Sequence, residues 1–355
     1  HVARVGASLL TAAGLPELIA ETDEAFVAIA AGLARDTGGL AVLRSGLRAQ
    51  LWASPLMDAV AHTRAVEAAY RTMWREWCAT VQAAAADARQ DEPQGLEIAL
   101  VDGSRAVVPA DIRQMTPFIL LEQEDWFENE IGFVRCVLQP GEAAIDVGAN
   151  YGLYTLAMAR AVGPDGRVLA VEPASRTMAW LRRGLAANGF HQVATVQAAL
   201  SDHDGEGVLG LHDNPDLNSL HADGPAGETV RLATLEDAAR ALDGRDVAFI
   251  KLDAEGEEPR IVAAATAFLR RQSPLIMIEI NHAGRFDLDA LTALGALGYA
   301  PYRLVPGLGL LAPFDPLTPF DGLDLNLFCC KVDRAALLAD RGLLADAGAA
   351  AGILL

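Results

Sequence analysis

Three short stretches of this 355-residue sequence carry side chains that can do chemistry. The first is Asp146-Val-Gly148-Ala-Asn150-Tyr-Gly152, set between the apolar run AAI and the helix-like run YTLAMARA. Glycines there let the backbone turn tightly and meet a ligand with no Cβ in between. A helix opening just after them offers N–H groups that have no partner within the helix. Two glycines in a tight turn also arise for steric reasons alone, so the neighbouring residues matter. Asp146, at a loop mouth, repels a pyrophosphate and welcomes a cationic ligand. Glu172 ends the next apolar run, where a carboxylate grips ribose hydroxyls in doubly wound folds.

The second stretch is Lys251-Leu-Asp253-Ala-Glu255-Gly256, at the end of the run VAFI. Alternation along a strand sends Lys251 and Asp253 to one face, where an ion pair would keep Asp253 ionised as a general base. The competing reading is that Asp253 and Glu255 cap a helix opening near Pro259. The third is Glu279, which ends PLIMIE close to Asn281 and His282. A carboxylate in so apolar a strand needs a partner, either an acceptor molecule or an arginine. Asp253, Glu255, Glu279 and His282 together also offer a donor set for a hard divalent cation. His203, His212 and His221 are spaced too widely to argue for zinc.

These residues need a parallel sheet to hold them. From Ala143 onward AAIDV, RVLAV, ATVQAA, VAFIKLD and PLIMIEI alternate with helix-like segments, which predicts right-handed crossovers in a doubly wound α/β fold. A polar insertion over about 203–230 departs from that rhythm. Upstream, LEIALV and AVVP flank Asp102-Gly103, a hairpin signal, and a helix is expected over Pro117 to Leu138. That helix carries Trp126, as a pocket lid or a plug against the sheet. Residues 1–82 read as helices, with stripes such as Ile19-Phe26-Ile29-Leu33 and Val66-Tyr70-Met73-Trp77 expected to be core. Residues 83–95 read as a linker, 96–333 as the α/β domain and 334–355 as a closing helix.

Composition narrows the classes. Apolar residues make up 52% of the chain, enough to fold around a large core. No uncharged apolar run reaches the roughly 18 residues of a membrane span. A net charge of −19 argues against nucleic acid and anionic lipid as partners. Cys78, Cys136, Cys329 and Cys330 show no CxxC spacing, so a reducing cytoplasm is expected. The chain opens at His1 without a methionine and is expected to be a fragment.

GANYG stands where a dinucleotide loop wants GxGxxG, and the pattern fits S-adenosylmethionine better than NAD. IDVGANYGLYTLA, VEPA, ALSDHDGE, IKLDAEGEEPRIV and MIEI, in that order, resemble the FkbM-type family of S-adenosylmethionine-dependent methyltransferases over about residues 95–331. The resemblance implies a class I methyltransferase fold and O-methylation of a hydroxyl on a small-molecule or glycan acceptor. It requires no metal, and none is expected. Carried onto this chain, it sets Asp146, Gly148, Asn150 and Gly152 along the methionine end of the donor. Glu172 falls on the ribose, and Leu200, Ser201 and Asp202 beside the adenine. Asn218-Ser219-Leu220 resembles a segment that faces the acceptor.

A second resemblance covers residues 1–80. RVGASLLTAAGLPELIA, SPLMD and AYRTMWREWC look like the closing helices of O-GlcNAc-transferase-like glycosyltransferases with TPR repeats. It implies a glycosyltransferase–methyltransferase fusion whose helical remnant packs on a missing region or another subunit. Two further readings stay open at this point: an NAD-dependent oxidoreductase, and a binding module that holds the donor without chemistry.

Overall fold

A computed structural model describes residues 2–87, 94–212, 215, 218–220, 226–282, 285–286, 288–305, 307–314 and 325–345. The chain divides into two compact units, His1–Glu92 and Pro93–Leu355. In the first, α1 (Val2–Ala12), α2 (Asp23–Arg35), α3 (Thr37–Trp52) and α4 (Ala59–Asp87) follow one another. α2 and α3 part at Asp36, whose carboxylate accepts the Gly39 N–H at 2.8 Å and so caps the first turn of α3, where Gly38-Gly39 lies.

The apolar stripes of this unit are not core. Among its described residues Ala13, Leu15 and Ser54 are buried, whereas Phe26 is 67% and Tyr70 66% exposed. Periodicity makes one helix face apolar, but burial requires another element opposite that face. Along α4 the described side chains 59–77 are all exposed except half-buried Val66 and Trp77.

The second unit opens with the expected hairpin of β1 (Gly95–Ala99) and β2 (Arg105–Pro109). The helix expected over Pro117–Leu138 is instead two, α5 (Met115–Gln123) and α6 (Asn129–Val137). They part at Glu124, whose φ of 56° is left-handed. The cause is a long-range ion pair: Arg135 on α6 binds both Asp125 oxygens at 2.6 Å and Asp102 at 3.0 Å, which draws the 124–128 segment out of helical register.

The alternating part then runs β3 (Ala143–Val147), α7 (Leu153–Val162), β4 (Arg167–Val171), α8 (Ser175–Asn188) and β5 (Val193–Val196). Next come β6 (Ala199–Leu200), β7 (Gly205–Leu211), β8 (Ala226–Ala233), α9 (Leu235–Ala238), β9 (Val247–Leu252), α10 (Glu258–Ala264) and α11 (Thr266–Arg271). The chain continues through β10 (Leu275–Glu279), β11 (Asn281–His282), β12 (Arg285–Phe286) and α12 (Asp289–Gly295). It then adds β13 (Ala300–Val305), β14 (Leu310–Pro313), β15 (Asn326–Cys330) and α13 (Val332–Asp340). Eight of these strands form one sheet in the order β14-β13-β15-β10-β9-β3-β4-β5, parallel from β10 to β5 and antiparallel at the other edge. This is the class I methyltransferase fold, a doubly wound, mostly parallel sheet.

Alternation splits the core between the sheet's two faces. Ala144, Phe249, Met277 and Phe328 face one set of helices, and Ile145, Ile250, Ile276 and Leu327 the other. The polar insertion is more regular than expected: β7 and β8 pair antiparallel, and β6 adds parallel to β8 as a small separate sheet. His221 lies outside the described residues, as do 346–355 of the expected closing helix. Among the described residues, no single helix is long and apolar enough to cross a membrane. Phe328 is fully buried, with its ring edge-on to Phe133 at 5.1 Å. Phe328→Ala should therefore cost the second unit about 3–5 kcal/mol, read from the midpoint of its urea unfolding.

Candidate active site

The carboxyl ends of β3, β4, β9 and β10 open onto a cavity of about 430 Å³, where ligands sit in open α/β sheets. Gly148 and Gly152 hold φ of 71° and 87°, with Asn150 at 48° between them. At Gly148 nothing larger fits, since a Cβ would stand 1.8 Å from the Asp253 carbonyl oxygen. The loop after β3 thus lies against the loop after β9. The N–H groups of Gly148 and Ala149 both donate to the Val171 oxygen that ends β4.

Glu172 follows at once and is 6% exposed. One carboxylate oxygen accepts from the Asn150 N–H and the other from the Ala174 N–H, each at 2.9 Å. Burial pushes its pKa up to about 7 against the pull of those two hydrogen bonds.

The parallel register sets Asp146 on β3 beside Lys251 on β9. Lys251 is 5% exposed. Its Nζ lies 2.6 Å from Asp253 Oδ2, 4.0 Å from Asp146 Oδ1 and 5.2 Å from the Tyr154 ring centre. Burial opposes the ammonium, but Asp253 and Asp146 outweigh it and carry the pKa above the ordinary lysine value. The ion pair with Asp253 expected from alternation is present. Asp146 differs from expectation: it is fully buried behind the loop, accepts the Thr155 hydroxyl at 2.5 Å, and is not among the residues lining the cavity. Burial pushes its pKa up, while Lys251 and Thr155 pull it down. It backs Lys251 instead of meeting a ligand.

Leu200 lines the cavity with Ala198 and Ala199, but Ser201 and Asp202 do not. Ser201 turns inward and donates to Glu257 at 2.6 Å. Asp202 lies at the surface, where hydrogen bonds from His203 and Arg260 push its pKa down to about 2. The reason is that β6 leaves the main sheet to pair with β8, so side-chain direction after Leu200 follows the small sheet.

Nor do Asp253 and Glu255 cap the next helix. Glu258, 1% exposed, holds their loop by accepting from the Ala254 and Gly256 N–H groups at 2.5 and 3.0 Å. Asp253, Glu255 and Glu279 all line the cavity, and an oxygen from each lies within 4.8 Å of the other two. The His282 side chain, the fourth member of the expected cluster, falls outside the described residues. Asn218, Ser219 and Leu220 also line the cavity, with the Ser219 hydroxyl donating to the Glu255 carbonyl at 3.0 Å.

Tyr154 and Glu128 are among the lining residues that escape the sequence reading. The Tyr154 hydroxyl donates to Glu128 at 2.5 Å, and burial pushes the pKa of both groups up. The signal available was EDWFENE, a charged aromatic run too irregular for a helix interior. Trp126, from the same run, lines the cavity and also packs on the core.

A Gly-Asn-Gly loop after β3, an acid after β4 and a Lys-Asp pair at the end of β9 thus line one cavity at the carboxyl end of the sheet. Residues 146–301 match the methyltransferase FkbM domain. The resemblance read from the sequence is borne out over that span. Among solved structures, a methyltransferase FkbM from Methylobacillus flagellatus aligns at TM-score 0.36 and 18% identity, over 57% of this chain and 50% of that one. A SAM-dependent O-methyltransferase from Thermotoga maritima aligns at 0.35 and 17%, over 68% and 78%. Alignments this loose carry no residue-level correspondence.

The other resemblance is borne out as a short match. A probable UDP-N-acetylglucosamine–peptide N-acetylglucosaminyltransferase SPINDLY from Hordeum vulgare is 44% identical over 78 residues, 22% of this chain. The Arabidopsis thaliana protein of that name is 37% identical over the same length. The chain spans 8% of the length of these relatives.

Within residues 146–301, Lys251→Met leaves the Asp146 carboxylate buried without its cation, a loss of about 3–5 kcal/mol at pH 8. Asp146 has its pKa raised by burial, so its protonated form favours the folded state as pH falls. The deficit should therefore shrink in thermal melts at pH 5, whereas a pH-independent deficit would contradict this electrostatic account.

Proposed function

We propose that the second unit transfers a methyl group from S-adenosylmethionine to a hydroxyl of a sugar, glycan or related metabolite. The observation that carries this is the charge of the cavity. Among its described lining residues, Glu128, Glu172, Asp253, Glu255, Glu257 and Glu279 supply six carboxylates and Lys251 the one ammonium. A dinucleotide would bring two phosphates into that field, whereas S-adenosylmethionine brings a sulfonium and an ammonium against one carboxylate. The Gly148 cradle, which a Cβ would fill, suits the close backbone approach such a ligand needs.

The residues divide the work by position. Gly148, Asn150 and Gly152 shape the loop against the methionine end, Glu172 accepts from ribose hydroxyls, and Leu200 lies along the adenine. When bound, S-adenosylmethionine supplies an electrophilic methyl on a positively charged sulfur. Asp253, held ionised by Lys251, accepts the proton that the acceptor hydroxyl gives up. Glu255, Glu279 and the Asn218–Leu220 segment orient that hydroxyl, and proximity provides much of the rate.

A second reading concerns the first unit. Its exposed Phe26, Tyr70, Met73 and Trp74, together with the SPINDLY match, favour a docking role. The partner is the remainder of a SPINDLY-type glycosyltransferase, joined to this chain or separate. Mixed with such a catalytic region, the chain should co-sediment, and Phe26→Asp with Trp74→Asp should abolish the complex. Co-sedimentation indifferent to both changes would sink this reading.

Calorimetry should give micromolar binding of S-adenosylhomocysteine and none of NAD. Glu172→Ala should weaken that binding about ten- to a hundredfold, the worth of charge-assisted hydrogen bonds. Because Glu172 titrates at about 7 and its ionised form is the better acceptor, affinity should rise about tenfold from pH 6 to pH 8. Binding of NAD in place of the nucleoside sulfur compounds would promote the oxidoreductase instead. Asp253→Asn should lower kcat about 10²- to 10⁴-fold while leaving S-adenosylhomocysteine affinity nearly unchanged.

A further inference from the structure

Glu128 lies upstream of residues 146–301, outside the FkbM match, yet it forms part of the cavity wall. The segment that bears it is firmly held. Arg135 binds Asp125 and Asp102, the Val101 N–H donates to the Glu124 carbonyl at 2.9 Å, and the Trp126 and Phe127 rings meet at 4.8 Å. This clamp presents Glu128 to the end of the cavity occupied by Lys251 and Asp253, whose charges both act on it. Its partners within hydrogen-bond reach are the Tyr154 hydroxyl at 2.5 Å and the Trp126 side chain. A phenol and an indole satisfy hydrogen bonds but supply no charge, and Lys251 is already shared by Asp253 and Asp146. A carboxylate so placed is stabilised by a cation arriving from solution.

Resting on the donor reading above, we propose that Glu128 is the counter-charge for the donor's sulfonium. Asp253, the base beside Glu128, must stand where the methyl is passed on, so Glu128 faces the same atom's charge. The upstream segment then favours the charged donor over the spent thioether, and the product is released as its charge disappears.

The test is calorimetry of the whole chain with three probes. They are S-adenosylmethionine, uncharged-sulfur S-adenosylhomocysteine, and sinefungin, which carries an ammonium in place of the methylated sulfonium. Glu128→Gln keeps an acceptor for Tyr154 and removes the charge. It should weaken S-adenosylmethionine and sinefungin about tenfold and S-adenosylhomocysteine by less than about twofold. Tyr154→Phe, which removes one of the two hydrogen bonds and keeps the charge, should leave the ratio of the three affinities as in the wild type. Equal losses for all three probes in Glu128→Gln, or no loss, would overturn the assignment while the donor reading stands. A wild-type chain that binds none of the three overturns the donor reading and this inference with it.

Discussion

The Lys251 ammonium lies 2.6 Å from Asp253 and 4.0 Å from Asp146 and is 5% exposed. Removing such a charge from water costs several kcal/mol per ion unless close partners repay it. Here they do, and the repayment fixes geometry. Asp146 must stay on β3 beside Lys251, Thr155 must bring its hydroxyl to Asp146, and Asp253 must end the strand that carries the lysine. The first turn of α7, the glycine loop and the β9 edge are thereby tied to one charge.

The same constraint sets the chemistry available. Of the two carboxylates that Lys251 pairs with, Asp253 lines the cavity, and the lining still holds more negative than positive charge. Glu172 shows the cost of burial without a contacting cation among the described residues: two backbone N–H groups and the charge of Lys251 pull its pKa down, and it still climbs to about 7. A cavity of this kind is prepared for a cationic ligand and resists an anionic one.

The glycine loop and Glu172 are legible in the sequence because positive φ and close backbone approach leave few residue types to choose from. The Lys251–Asp253 pair is legible from strand alternation. Asp146 is misread because β3 is buried at every position, so no polar–apolar alternation marks which face meets the ligand. Ser201 and Asp202 fail for a different reason: a strand that changes sheets does so through pairing with β8, which the local sequence does not encode. Glu128 is hidden because the break in its helix depends on Arg135 and Asp102, the latter more than twenty residues away in sequence. In the first unit, periodicity finds the apolar faces of α2 and α4 correctly and says nothing about what covers them.

On the proposed reading, the cavity at the carboxyl edge binds an adenosyl sulfur compound with its ribose on Glu172 and its sulfur toward Asp253 and Lys251. A crystal structure of the chain grown with S-adenosylhomocysteine tests this most directly. Ribose hydroxyls are expected within hydrogen-bond distance of the Glu172 carboxylate, the adenine along Leu200, and the sulfur facing Asp253. A ligand bound elsewhere, or one in the cavity that leaves Glu172 without a ribose contact, would contradict it.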